Sequence, residues 1–74
     1  MKKVIATPDA PKAVGPYSQA IEVNGTLYIS GQIPVNPADG QVQTEITAAA
    51  HQSLKNIGAI LKEAGMTYDN VVKT

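Results

Sequence analysis

Asn24-Gly25 is the feature that most narrows what this chain can fold into. Both residues tolerate positive φ, so they close a two-residue turn between antiparallel strands. The flanking segments, Ser18–Val23 and Thr26–Ser30, are therefore predicted to form a hairpin. Such a turn sets the register: Val23 faces Thr26, Ile21 faces Tyr28, Gln19 faces Ser30 and Tyr17 faces Gln32. Alternate residues share a face. Ile21, Val23 and Tyr28 then lie on one face, with Tyr17, Gln19, Ser30 and Gln32 at its open end. Ala20, Leu27 and Ile29 lie on the other with Glu22. Apolar residues on both faces imply that both are covered.

Around the hairpin, Val4-Ile5 reads as a short strand, ended by Pro8, Pro11 and Pro16, which cannot donate to a ladder. Asp9–Pro16 reads as an extended loop. Gly31–Gln43 carries Pro34, Asn36, Pro37, Asp39 and Gly40, the chemistry of turns, and is expected to be an ordered loop or small excursion. Thr44 is placed to cap a helix, with Glu45 in its first turn. Ile46, Ala50, Ser53/Leu54, Ile57, Leu61 and Ala64 step by three or four and share a face. Gly65 sits where a helix ends. After a Tyr68-Asp69 turn, Asn70–Thr74 reads as a strand parallel to a neighbour. This order gives an α+β domain in which one helix covers one sheet face. A partner subunit is expected on the other, which puts the polar end of the hairpin near a subunit seam.

Composition limits the remaining choices. A chain of 74 residues buries only about 60% of its unfolded surface, so its core is thin. With no cysteine and one histidine, disulfides and metals are poor staples here, and self-association or a missing remainder is the expected alternative. Six lysines balance six carboxylates and no arginine is present, which disfavours nucleic acid and anionic membranes as partners. Met1–Ile5 lacks the apolar stretch of a signal peptide and no run is long enough to span a membrane, so a soluble cytoplasmic protein is expected.

The candidate site lies at the open end of the hairpin. Gly31, without a Cβ, lets a ligand approach its N–H, which suits a carboxylate; Ser30 and Tyr17 add hydroxyls and Gln32 an amide. Gly-Pro and Ser-Gly-Gln-Ile-Pro are equally ordinary ways to leave a strand. His51 falls off the apolar stripe, with no second ligand at metal spacing, and reads as a surface residue. Tyr28 is expected to pack in a core or interface, and Tyr68 to brace the turn after the helix. Lys55, Lys62 and Glu63 read as a solvated helix face. No nucleophile-base pair or phosphate loop stands out.

Gly15–Ala20 (GPYSQA) together with Ser30–Pro34 (SGQIP) resembles the Rid family of reactive-intermediate deaminases, also called YjgF-like proteins. Gln52–Gly65, with SLKNIGAILKEAG within it, and Asp69–Thr74 (DNVVKT) extend the likeness over nearly the whole chain. The resemblance implies a chorismate-mutase-like α+β fold, of which residues 1–74 are a single domain lacking its C-terminal side. It also implies a homotrimer with sites between subunits, and cofactor-free hydrolysis of 2-imino acids such as 2-iminobutanoate and 2-iminopropanoate, or their enamines, to 2-keto acids and ammonia. By position, Gly31 would offer its N–H to the substrate, Tyr17 would line and orient the pocket, and Ser30 and Gln32 would shape its rim. Family members continue past this point and there supply an arginine for the carboxylate and a glutamate for water. Neither residue has a counterpart here, and lysine does not replace a bidentate arginine. Three readings follow: the N-terminal part of a deaminase, which is favoured; a non-catalytic assembly unit needing a complementing segment; and an RNA-cleaving translation inhibitor, which the charge balance disfavours.

Overall fold

The computed structural model describes residues 1–74: strands β1 (Lys2–Ile5), β2 (Ala20–Val23) and β3 (Thr26–Ile29), then helix α1 (Ile46–Glu63). A single 3-10 turn follows at Tyr68–Asn70. Asn24 (φ 51°) and Gly25 (φ 83°) both take the left-handed conformation, so the turn between β2 and β3 is of the mirror-image type that matches strand twist. Val23 pairs with Thr26 and Ile21 with Tyr28, the expected register. β1 adds antiparallel to β2, pairing Ile5 with Ala20, so the sheet order is β1-β2-β3 and β3 is an edge.

The ladder continues one bond past the strands, from Ser30 N–H to the Gln19 carbonyl (2.9 Å), and there it stops. Tyr17 N–H bonds instead to the Gly15 carbonyl (2.9 Å), so the expected Tyr17–Gln32 pair does not form. The cause is local: Gly15, at φ 109°, turns the chain away before residue 17 can join the sheet.

One sheet face carries Ile5, Ala20, Leu27 and Ile29, and it packs with Ala10 against Ile60 and Ala59 of α1 and its C-cap Ala64. Burying a side chain such as Ile60 contributes about 1.5–3 kcal/mol, and few residues here do so, which is the thin core expected of this length. The opposite face, with Val4 and Tyr28, stays open within the chain: these two side chains are 59% and 64% exposed.

Three expectations are corrected here. The helix cap is Glu45 and not Thr44: the Glu45 carboxylate accepts from Ala48 N–H at 2.8 Å. The expected stripe holds at Leu61, which is buried, and at half-buried Ile57 and Ala64, but the other buried residues of α1 are Asn56 and Ile60, while Ile46 (81% exposed) and Leu54 (53% exposed) face outward. The periodicity followed apolar residues alone, and the helix is rotated by a buried polar one. Asn70–Thr74 is not a strand either. Asn70 closes a capping box with Thr67, and Val71–Thr74 runs on without a ladder partner, which a strand requires.

Helix α1 ends as its sequence indicates. Gly65 takes φ 75°, its N–H bonds to Lys62, and Met66 N–H reaches back to Leu61, a Schellman closure. The segment before the helix is an ordered excursion: Val35 bridges Val42, and the Asn36 and Asp39 side chains each accept a backbone N–H two residues on. No helix is long and apolar enough to cross a membrane.

Candidate functional site

The end of β3 delivers Ser30, Gly31 and Gln32 to the wall of a cleft of about 540 Å³. Its other walls are the C-terminal half of α1, with Ile57 and Leu61, and the tail, with Val72 and Lys73. Gly31 is exposed, and its N–H donates to no acceptor within the chain. A Cβ built on Gly31 would meet nothing within 4 Å, so the side of its Cα where a side chain would stand is open. An unclaimed N–H beside open space can take an anionic oxygen, and Lys73 is the one charged side chain along the cleft.

Its two polar neighbours are already engaged. The Ser30 hydroxyl donates to the Ser18 carbonyl, and Gln32 Nε2 donates to the Ser30 carbonyl at 3.1 Å. Ser30 thus keeps only acceptor capacity toward the cleft, and Gln32 keeps its Oε1 and one Nε2 hydrogen. Both line the cleft, and their hydrogen bonds engage the backbone on the strand side of Gly31.

Tyr17 stands elsewhere. Half exposed (51%), it lines a second depression of about 610 Å³ with Val4, Thr7, Pro11 and Lys12. Of the four candidate residues, the chain brings three together in one cleft and sets Tyr17 in another. Gln19, expected beside them at the open end of the hairpin, is instead buried. Its Oε1 accepts from Thr7 N–H (2.7 Å), and its Nε2 reaches the carbonyls of Thr7, Ala10 and Pro11. This side chain ties the proline-rich loop to the sheet, because a buried amide must satisfy both ends of its dipole.

Asn56 does the same for the second loop, and the apolar pattern gave no sign of it. It is 1% exposed, and its Nδ2 donates to the carbonyls of Ile33 (3.1 Å) and Val35 (3.0 Å). Gln52 Nε2 donates to its Oδ1 at 2.9 Å, which fixes which way the amide points. One signal was available: asparagine is a poor residue for a helix interior, and Gln52 lies one turn before it.

His51 is exposed, and no group of histidine, cysteine or carboxylate side chains could hold a metal. Tyr68, expected to brace the turn after the helix, reaches back along α1 instead, its ring against Gly58 and its hydroxyl donating to the Leu54 carbonyl. At the other end, the Glu45 carboxyl is held below its usual range, first by the hydrogen bond from Ala48 N–H and then by that from Thr47 N–H.

Residues 7–74 match the family described as endoribonuclease L-PSP. The 2-iminobutanoate/2-iminopropanoate deaminase of Mus musculus is 53% identical over 75 residues, covering all of this chain and 56% of that protein. A solved structure of the Rid protein family, YyfA from Yersinia pestis, superposes with a TM-score of 0.94 at 53% identity, over 97% of this chain and 58% of that one. Escherichia coli TdcF with bound serine superposes with a TM-score of 0.91 at 37% identity, over 95% of this chain and 55% of that one. The chain thus spans little more than half the length of these relatives. With a family match over almost its whole length and superpositions at this level, the chain belongs to the endoribonuclease L-PSP family of Rid, or YjgF-like, α+β proteins.

Proposed function

We infer that this chain is the N-terminal part of a deaminase that hydrolyses 2-imino acids, or their enamine tautomers, to 2-keto acids and ammonia. The observation that carries the reading is the Gly31 N–H, which has no acceptor within the chain and belongs to a residue on the cleft wall, in a chain so similar to a protein named for this reaction.

The chemistry asks little of the protein. A protonated imine is already electrophilic, so water adds to its carbon to give a carbinolamine. Proton transfer to nitrogen then lets the C–N bond break, leaving ketone and ammonia. Holding the substrate and placing one water supply most of the rate, and no cofactor is needed. Gly31 N–H holds a substrate oxygen, while Ser30 and Gln32 keep its backbone in place. Tyr17 lines the pocket and orients the substrate. The arginine and glutamate that the family resemblance implies come from polypeptide outside these residues.

The site is proposed to form between copies of a homotrimer. Two observations support this: Tyr17 and Gly31 face different clefts, and Val4 and Tyr28 leave the second sheet face open. RNA cleavage is the weaker reading, since zero formal charge and no arginine give no footprint for phosphate.

The test is ammonia release from 2-iminobutanoate generated in place by a threonine dehydratase, using the polypeptide that carries this segment. RNA cleavage is measured in parallel at several salt concentrations. Faster ammonia release with RNA left intact is expected. Intact imine beside cleaved RNA would reverse the assignment.

A further inference from the structure

Gly31 is useful to a ligand only if its backbone holds one conformation at the cleft wall, yet nothing beyond its chain neighbours lies within 4 Å of where its Cβ would stand. On the strand side the segment is held at Ser30, whose N–H and hydroxyl bond to the Gln19 and Ser18 carbonyls; on the far side its hold lies two to four residues further on. The carbonyls of Ile33 and Val35 are both taken by one buried group, the Nδ2 of Asn56, and Gln52 holds that amide in the donating orientation. Ile33 itself is exposed, so its side chain cannot anchor the loop. The Val35–Val42 bridge and the bond from Gln43 N–H to the Pro34 carbonyl brace the excursion beyond but do not reach the helix. Asn56 is therefore the polar link between α1 and the strand exit that carries Gly31.

The geometry points to Asn56 as a positioning residue for the Gly31 amide, acting through the Ile33–Val35 backbone, with Gln52 as its orienting partner. This rests on the deaminase reading for what the amide binds, though not for the mechanical link itself. A helix side chain that fixes a binding amide contributes to holding the substrate equally before and during reaction, so its loss belongs in KM. A purely structural asparagine behaves differently: its loss lowers the folded fraction, which lowers the apparent kcat and leaves KM unchanged.

The test compares Asn56→Ala and Gln52→Ala in the polypeptide that carries this segment, by kinetics and by amide hydrogen exchange. Asn56→Ala is expected to raise KM roughly tenfold, the order expected for two modest hydrogen bonds, with kcat changed less than about twofold. Exchange should quicken at Gly31–Val35 while the α1 amides keep their protection. Gln52→Ala leaves the core intact and should move both readouts the same way by less, so it decides the matter if Asn56→Ala fails to fold. A fall in kcat at constant KM, or unchanged exchange at Gly31–Val35 in the folded variant, overturns the proposal. If the unaltered protein releases no ammonia, the deaminase reading falls, and the exchange data alone then support or overturn the role of Asn56.

Discussion

The Tyr68 ring stands where a side chain at residue 58 would go: a Cβ built on Gly58 would lie 2.8 Å from Tyr68 Cζ. Glycine inside a helix costs about 1 kcal/mol relative to alanine, so its presence in α1 needs a reason, and the tyrosine that bonds to the Leu54 carbonyl is that reason. Gly58→Ala should change stability by less than about 0.5 kcal/mol, because the gain in helix propensity is offset when Tyr68 swings out. In a Tyr68→Ala background the same change should stabilise by about 1 kcal/mol. A double-mutant cycle by urea unfolding reads the difference, and equal effects in both backgrounds would refute the contact.

Gln19 is expected to matter more to the fold than the rim residue Gln32. Replacing buried Gln19 by leucine strands the Thr7 N–H and leaves the loop carbonyls unpaired, which should cost about 2–4 kcal/mol. Gln32 makes one hydrogen bond, to the carbonyl two residues back, and Gln32→Leu should cost less than about 1 kcal/mol. Denaturant midpoints for the two variants check the ordering.

The Glu45 cap makes a pH-dependent contribution. Its folded-state pKa lies below the ordinary value of 4.5, so the stabilisation is present above that value and is lost as pH falls through the folded pKa. Thermal unfolding of the protein and of Glu45→Ala should therefore differ at neutral pH and converge as pH falls through the folded-state pKa of Glu45. A gap that persists at the lowest pH would mean that the cap does not act through its charge.

Gly31→Ala separates ligand contact from folding. The added methyl meets no atom within 4 Å, and Gly31 has no positive φ, so stability should change little. Turnover of an imino acid should nevertheless fall by about tenfold or more, because the methyl occupies the space through which a ligand reaches the amide. Unfolding curves and ammonia release on the same preparation distinguish the two effects.

What the sequence made legible follows from how local each signal is. The hairpin register rests on two adjacent residues, Asn24 and Gly25, and the helix end on Gly65 alone; both were readable. Ser30, Gly31 and Gln32 fall together because they are consecutive at a strand exit. Tyr17 was placed with them by extending the ladder two residues past Gln19, where the turn at Gly15 and the bond from Tyr17 N–H to its carbonyl end it. Gln19 and Asn56 were missed in the core because a polar side chain is buried only with partners distant in sequence, here Thr7 to Pro11 and Ile33 to Val35. The tail Val71–Thr74 has strand-like residues, but no partner pairs with it among residues 1–74.

The central claim is that the Gly31 amide takes an oxygen of the substrate. Titrating the nitrogen-15-labelled polypeptide that carries this segment with 2-oxobutanoate, the product, and following its amide resonances tests it most directly. A saturable downfield shift of the Gly31 N–H, larger than those of the exposed helix amides of His51 and Lys55, is the predicted result. Binding that leaves the Gly31 resonance in place, or perturbs only distant amides, would contradict it.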